Sequence, residues 1–174
     1  MPVYTRTGDT GLSSTLSDER KSKSDPIFEV NGWMDHLNAA LGMAYAEIID
    51  WPDAEDVRQK IRTVQLDLFS LGAFVSSADG SYLDSVKGSA EEFEKCMDRL
   101  MPHFKLDGFV LPGANRAEAA LHNARTVCRT LERHLVALEA SRTDVRVARY
   151  VNRLSDMLFV LALWAGTPGK RPPV

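Results

Sequence analysis

Five stretches in which apolar residues return every three or four positions constrain this chain more than anything else in it. From about Glu29 to Ile49, the residues Val30, Trp33, Met34, Leu37, Leu41, Ala44 and Ile48 fall on one stripe, the spacing of an amphipathic helix, and Pro52 closes it. A second stripe, Val57, Ile61, Val64, Leu68, Leu71 and Val75, predicts a helix from about Asp53 to Ser77 with Asp53 as N-cap; Asp79-Gly80 then breaks the pattern. Phe93, Cys96, Met97 and Leu100 mark a shorter helix over about Ser89 to His103, ended by Pro102. The fourth runs from about Arg116 to Ala140 on Ala120, Leu121, Ala124, Cys128, Leu131, Leu135 and Leu138. The fifth, about Asp144 to Trp164, rests on Val147, Val151, Leu154, Leu158 and Leu161. No segment of period two is evident. Five helices with short connections describe an all-α, up-and-down bundle.

The remaining organisation follows from length and composition. The 174 residues suffice for one domain with a substantial core and not for two. Residues 1–26 are polar, with Gly8, Gly11, five serines and Pro26, and are expected to run extended across the 27–166 bundle, with 167–174 as a tail. A net charge of −3 gives no electrostatic footprint for nucleic acid, so any anion site must be local. Cys96 and Cys128 both fall in helices and show no CxxC spacing, which fits reduced thiols better than a disulfide framework. No apolar run reaches the ~20 residues of a membrane span, and MPVYTRTGD lacks the apolar core of a secretory signal. The expected location is the cytoplasm, or the mitochondrial matrix if the chain is a processed eukaryotic form.

Four constellations carry possible chemistry. Thr5-Arg6-Thr7-Gly8-Asp9-Thr10-Gly11-Leu12-Ser13-Ser14 gathers glycines, hydroxyls and one arginine, which is what a phosphate chain asks of a loop. The strip lacks Walker A spacing, and on its own it reads first as a solvated tail. On the fourth helix, Arg125, Arg129 and Arg133 stand at i, i+4, i+8 beside His122 and Glu132. Three guanidiniums in a row suit a triphosphate, and they also suit a solvated face laced with salt bridges. Asn152 and Asp156 in Asn152-Arg153-Leu154-Ser155-Asp156 are polar groups in apolar surroundings that need partners, a need that tying helices together would also meet. Asp35 and Asn38 flank the first helix's stripe, and an arginine of the fourth helix is the expected partner of Asp35. The histidines His36, His103 and His134 have no metal-ligand spacing, and no protein metal site is expected. Phe109-Val110-Leu111-Pro112-Gly113 by itself reads as a plug over the end of the bundle.

TRTGDTGLSS, EVNGWMDHLNAALG, FVLPG, ALHNARTVCRTLER and YVNRLSDMLFVLA together resemble, in order and spacing, the PduO-type ATP:cob(I)alamin adenosyltransferases. The similarity spans nearly the whole chain. It implies a five-helix bundle of the ferritin-like, cobalamin adenosyltransferase type, assembled as a homotrimer with active sites between subunits. It also implies ATP bound as a Mg2+ complex, cobalamin as second substrate, and an adenosylcobalamin-dependent enzyme as acceptor of the product. By position, Thr5, Arg6, Thr7, Gly8, Ser13, Ser14 and Lys23 correspond to nucleotide contacts, with Asp9 and Gly11 shaping the loop. Arg125 corresponds to the family arginine that pairs with the acidic residue at Asp35, and Arg129 to a phosphate-binding arginine. Glu132 and Asn152 match further nucleotide-site positions, with Thr130 and Arg133 beside them, and Phe109 matches the aromatic that displaces the corrin's lower axial ligand.

The implied reaction suits such parts. Cob(I)alamin is itself a strong nucleophile, so the protein must place cobalt in line with C5′ of ATP and stabilise triphosphate as leaving group. The sequence departs from the pattern at Thr130, where a second arginine is usual, at His36 for Glu, at Ala114 for Gly and at Ile27 for Arg. The rival readings are a cobalamin- and ATP-binding carrier or sensor of the same fold with little turnover, and a purely structural bundle.

Overall fold

Pro26 opens helix α1 (Pro26–Glu47), because its fixed φ suits the first turn and Asp25 caps it, accepting from Ile27 N at 3.0 Å. The computed structural model describes residue 4, residues 6–167 and residue 172. Helices α2 (Glu55–Ser77), α3 (Ala90–Leu100), α4 (Arg116–Val136) and α5 (Val145–Gly166) follow. Ser89, Asn115 and Asp144 cap the last three, accepting from Glu92, Glu118 and Arg146 N. The expected cap Asp53 does not cap α2. Buried Ala54 takes that position, and Arg58 instead holds the α1–α2 connection by donating to Ile48 O and Trp51 O. Helix α3 gives way at Leu100 to a single 3-10 turn, Met101–His103, and α4 ends a turn earlier than its periodicity suggests.

Helix α4 packs against both α1 and α5, with α2 behind α1 and α3 against α5. Leu121, Ala124, Cys128 and Leu131 on α4, Leu37, Leu41 and Ala44 on α1, and Val151 and Leu154 on α5 are wholly buried. Each leucine so buried contributes about 1.5–3 kcal/mol. Trp33, Met97, Ala120 and Leu138, expected in the core, are only partly buried against it. Both cysteines are free and buried, and burial pushes both thiols above their ordinary range.

The N-terminal segment departs from the expected extended run. Strands β1 (Leu12–Ser14) and β2 (Arg20–Ser22) form an antiparallel hairpin in which Leu12 opposes Ser22 and Ser14 opposes Arg20. Three-residue strands carry no legible alternation. What holds the hairpin is docking: Thr15 is buried, Leu16 N donates to Ser76 Oγ at 3.0 Å, and Arg142 donates to Glu19 at 3.2 Å. Arg142, itself buried, also donates to Val75 O and Ser76 O, which ties the hairpin to the C-terminal end of α2.

One buried carboxylate joins three further segments. Asp67 on α2 accepts from Lys87 N, Gly88 N and Tyr150 Oη, each at 2.8 Å. Asp67→Ala strands a phenol and two amides together, so we expect a loss of about 3 kcal/mol or more in urea unfolding. A loss under about 1 kcal/mol would show that water replaces the carboxylate there.

Candidate active site

Arg125, Arg129 and Arg153 line one cavity of about 390 Å3, with Met97, Met101 and Phe159 as its apolar wall. Helix α4 supplies the first two at i, i+4 and α5 supplies the third, so the expected arginine face is a cavity wall for those residues. Arg153 is neutralised: its Nε donates to Glu94 at 2.7 Å, and its NH1 donates to Asp156 at 3.2 Å and Asn152 Oδ1 at 3.0 Å. Among the described residues no carboxylate forms an ion pair with Arg125 or Arg129. Two unneutralised guanidiniums one turn apart repel each other and attract an anion with several oxygens.

Beside this cavity, Asn152 Nδ2 donates to Glu132 Oε1 at 2.7 Å, which brings together two positions far apart in sequence. Arg133, at i+8, turns away from the cavity to donate to Thr130 Oγ1 at 2.9 Å, and Thr130 in turn donates to Thr126 O. The residue standing where an arginine is usual thus holds a neighbouring arginine. His36 stacks on Trp33, which also stacks on His134; Ile27 is buried.

The expected partnership of Asp35 with Arg125 does not form within the chain. Asp35 is exposed and lines a groove between α1 and α2 with Asn38, Leu68 and Phe69, whereas Arg125 faces the cavity between α3, α4 and α5. The two residues thus line different cavities of the chain. Asn38 pairs instead with Gln65, each side-chain amide donating to the other's backbone carbonyl at 3.0 Å.

The Gly-rich strip folds back on β2. Thr7 O accepts from Arg20 at 2.9 Å, and Gly11 O accepts from Lys23 N at 2.9 Å, with Gly11 at φ 78. A Cβ on Gly8 would lie 3.1 Å from Lys23 Nζ, which places the ammonium directly over the loop. Ser13 and Ser14 face Lys21 and Arg20 in the strand register. Arg6 stands at φ 60 with its guanidinium 5.6 Å from the Tyr4 ring centre, and the exposed Asp9 donates its N–H to Arg6 O. Thr5 lies outside the described residues. Arg20 was not singled out from the sequence; its signal is the basic run Arg20, Lys21, Lys23 opposite the strip. The hairpin's hydrogen bonds to the bundle run to Ser76 and Arg142 rather than to α4.

The Phe109 loop corrects its reading as a plug. Phe109 is 106% and Leu111 88% exposed, so the loop stands in water beyond the bundle. Its C-terminal end is nonetheless anchored: Glu118 Oε2 accepts from Gly113 N at 2.7 Å and Ala114 N at 3.2 Å, and Asn115 Nδ2 donates to Ala165 O. Gly113 sits at φ 124, which a side chain would strain. Glu118 Oε1 lies 3.1 Å from His122 Nε2, and His122 Nδ1 accepts from Arg125 Nε at 3.3 Å. Glu118 and His122 are both buried. Desolvation lowers the His122 pKa, opposed by the Glu118 carboxylate and reinforced by Arg125, so the imidazole is neutral near pH 7. Sequence reading missed Glu118, although Asn115-x-x-Glu118 is a helix-start signal.

The chain is thus a helical bundle with an arginine-lined cavity and an exposed aromatic loop. Residues 3–165 match the family model described as cobalamin adenosyltransferase, and the chain belongs to that family. The mouse protein named corrinoid adenosyltransferase MMAB is 38% identical over 171 residues, covering 94% of this chain and 72% of the mouse protein. The corrinoid adenosyltransferase PduO of Salmonella typhimurium is 39% identical over 171 residues, 93% of this chain and 49% of that protein. Among solved structures, a phenylalanine-to-alanine variant of the PduO-type ATP:corrinoid adenosyltransferase from Lactobacillus reuteri, complexed with cobalamin and ATP, superposes with a TM-score of 0.83. It is 26% identical, covering 95% of this chain and 93% of that one. An arginine-to-lysine variant of the L. reuteri enzyme, complexed with ATP, has a TM-score of 0.81 at 26% identity, covering 95% and 94%.

Proposed function

We propose that this chain transfers the 5′-deoxyadenosyl group of ATP to the cobalt of cob(I)alamin, forming adenosylcobalamin and triphosphate. The observation that carries this is Arg129, a guanidinium with no ion pair among the described residues, on a cavity of a chain that also presents Phe109 to solvent. Family membership supports it independently.

In this reaction the cobalt lone pair forms the Co–C5′ bond while the C5′–O bond breaks, and triphosphate departs with the electron pair. No side chain needs to act as base or nucleophile. Arg129 stabilises the charge gathering on the leaving triphosphate, and the strip Thr5–Ser14 with Lys23 cradles the phosphates. Glu132 and Asn152 border the nucleotide, with Thr130 holding Arg133 away from it. Phe109 packs under the corrin in place of its lower ligand, which makes the Co(II) form easier to reduce. Magnesium fits as a companion of the triphosphate: among the described residues no three His, Cys, Asp or Glu side chains converge, and Mg2+ ordinarily needs only one or two carboxylates besides phosphate oxygens. Asp9 and Glu132 are the carboxylates this site offers it, and its charge would help neutralise the triphosphate.

The site is shared between subunits of a homotrimer. Among the described residues, the hairpin that carries the strip is tied to its own bundle through Ser76 and Arg142, and neither Asp35 nor Arg125 has a carboxylate–guanidinium partner. A neighbouring copy supplies each: its strip meets Arg129 and Glu132, and its Asp35 pairs with Arg125. Exposed Met43, Leu66 and Phe69 on α1 and α2 offer the apolar area such an assembly buries. Among the described residues no helix is long and apolar enough to cross a membrane. Buried free thiols fit a reducing compartment, the cytoplasm or the mitochondrial matrix, where an adenosylcobalamin-dependent enzyme accepts the product.

Anaerobic incubation with chemically reduced cobalamin and MgATP tests this reading, which expects a light-sensitive adenosyl product and stoichiometric triphosphate. ATP binding without product would favour a carrier or sensor, and absence of ATP binding would sink both.

A further inference from the structure

The buried path from Gly113 to Arg125 joins the two ends of the proposed site. We infer that Glu118 and His122 are positioning residues that anchor the Phe109 loop and orient Arg125 as one unit; this rests on the function proposed above. Glu118 divides its carboxylate between two tasks. One oxygen takes both amides at the end of the loop, at 2.7 and 3.2 Å, and the other lies 3.1 Å from His122 Nε2.

The arginine decides which imidazole nitrogen carries the proton. Its Nε–H can only donate, so Nδ1, which accepts it at 3.3 Å, keeps its lone pair, and the proton of the neutral ring sits on Nε2, 3.1 Å from Glu118 Oε1 but outside hydrogen-bond geometry, so that the attraction there is electrostatic. The guanidinium is thus steered through Nε by a neutral acceptor, which fixes its direction without cancelling its charge. Phe159 packs on the imidazole, 5.9 Å between ring centres, and also lines the cavity, so His122 stands directly behind the wall that Arg125 and Arg129 form. Arg125 and Glu118 are the charged groups in contact with the imidazole. A purely structural pair would need no acceptor aimed at an arginine that has no carboxylate partner among the described residues of its own chain.

Glu118→Gln separates the two tasks. The glutamine carbonyl can still accept both loop amides, but its NH2 then faces His122 Nε2, moves the imidazole proton to Nδ1 and sets N–H against Arg125 Nε–H. The expected result is an ATP KM raised about tenfold, matching Arg125→Ala, with the ratio of Co(II)- to Co(I)-started activity unchanged because the loop keeps its anchor. Glu118→Ala should raise KM and also lower that ratio. His122→Phe should raise KM as Glu118→Gln does, and His122→Asn, whose amide oxygen can take the place of Nδ1, should recover most of the loss. Nitrogen-15 spectra should show the His122 proton on Nε2 in the parent and on Nδ1 in Glu118→Gln. If Glu118→Gln and His122→Phe lower only the thermal midpoint while KM and the cobalt ratio stay at parent values, and Arg125→Ala is impaired, the inference fails and the proposed function stands. Unchanged kinetics in Arg125→Ala would remove the underlying role of that arginine and the inference with it.

Discussion

Arg129→Ala should lower kcat for adenosyl transfer by about 100-fold or more while leaving the thermal midpoint near that of the parent. The side chain is exposed and lines the cavity without an ion pair among the described residues, so its removal leaves no buried partner unsatisfied. Its neighbours Cys128 and Leu131 carry the packing of that turn. All of the effect should therefore fall on binding and leaving-group stabilisation. Lysine should recover only part of the activity, since a point charge lacks the two-pronged geometry that grips neighbouring phosphate oxygens. Near-parent turnover in Arg129→Ala would take this residue out of the site.

Phe109→Ala should be the second large effect, and a selective one: activity started from Co(II) cobalamin should fall by about 10- to 100-fold, and activity started from chemically reduced Co(I) far less. An apolar ring left wholly in water contributes nothing to the fold of a single chain, so its removal should not destabilise the bundle. The ring's use comes when a ligand covers it. Displacing the lower axial ligand matters only while cobalt must still be reduced, which is why the two starting states separate. Equal losses from both would assign Phe109 to general corrinoid binding instead.

The helices were legible because Val30, Leu37 and Leu41 on α1 and Leu121, Ala124 and Leu131 on α4 repeat at helical spacing and are all buried. Boundaries were less so: Asp53 has the chemistry of a cap, but burial of Ala54 and the grip of Arg58 on the preceding turn start α2 later. The hairpin was illegible, since what fixes Leu12–Ser14 and Arg20–Ser22 is contact with Ser76 and Arg142, more than 50 residues away. Hydropathy alone sent Phe109 and Leu111 inward, because composition cannot tell a core residue from one awaiting a ligand. The arginine spacing of α4 placed Arg125 and Arg129 on one face, but only the fold shows that α5 closes a cavity there and that Arg133 leaves it for Thr130. Glu118 was invisible as a site residue because its partners are backbone amides.

The central claim, an adenosyl-transfer site assembled from two copies of the chain, is open to one direct measurement. A Lys23→Glu variant, which puts a carboxylate where the strip holds its ammonium, and Arg129→Ala should each be nearly inactive alone. Unfolding and refolding them together yields mixed trimers in which some sites draw an intact strip from one subunit and an intact Arg129 from its neighbour. The mixture should regain a substantial fraction of parent adenosylcobalamin formation. A mixture that forms mixed trimers yet stays as inactive as its components would contradict it.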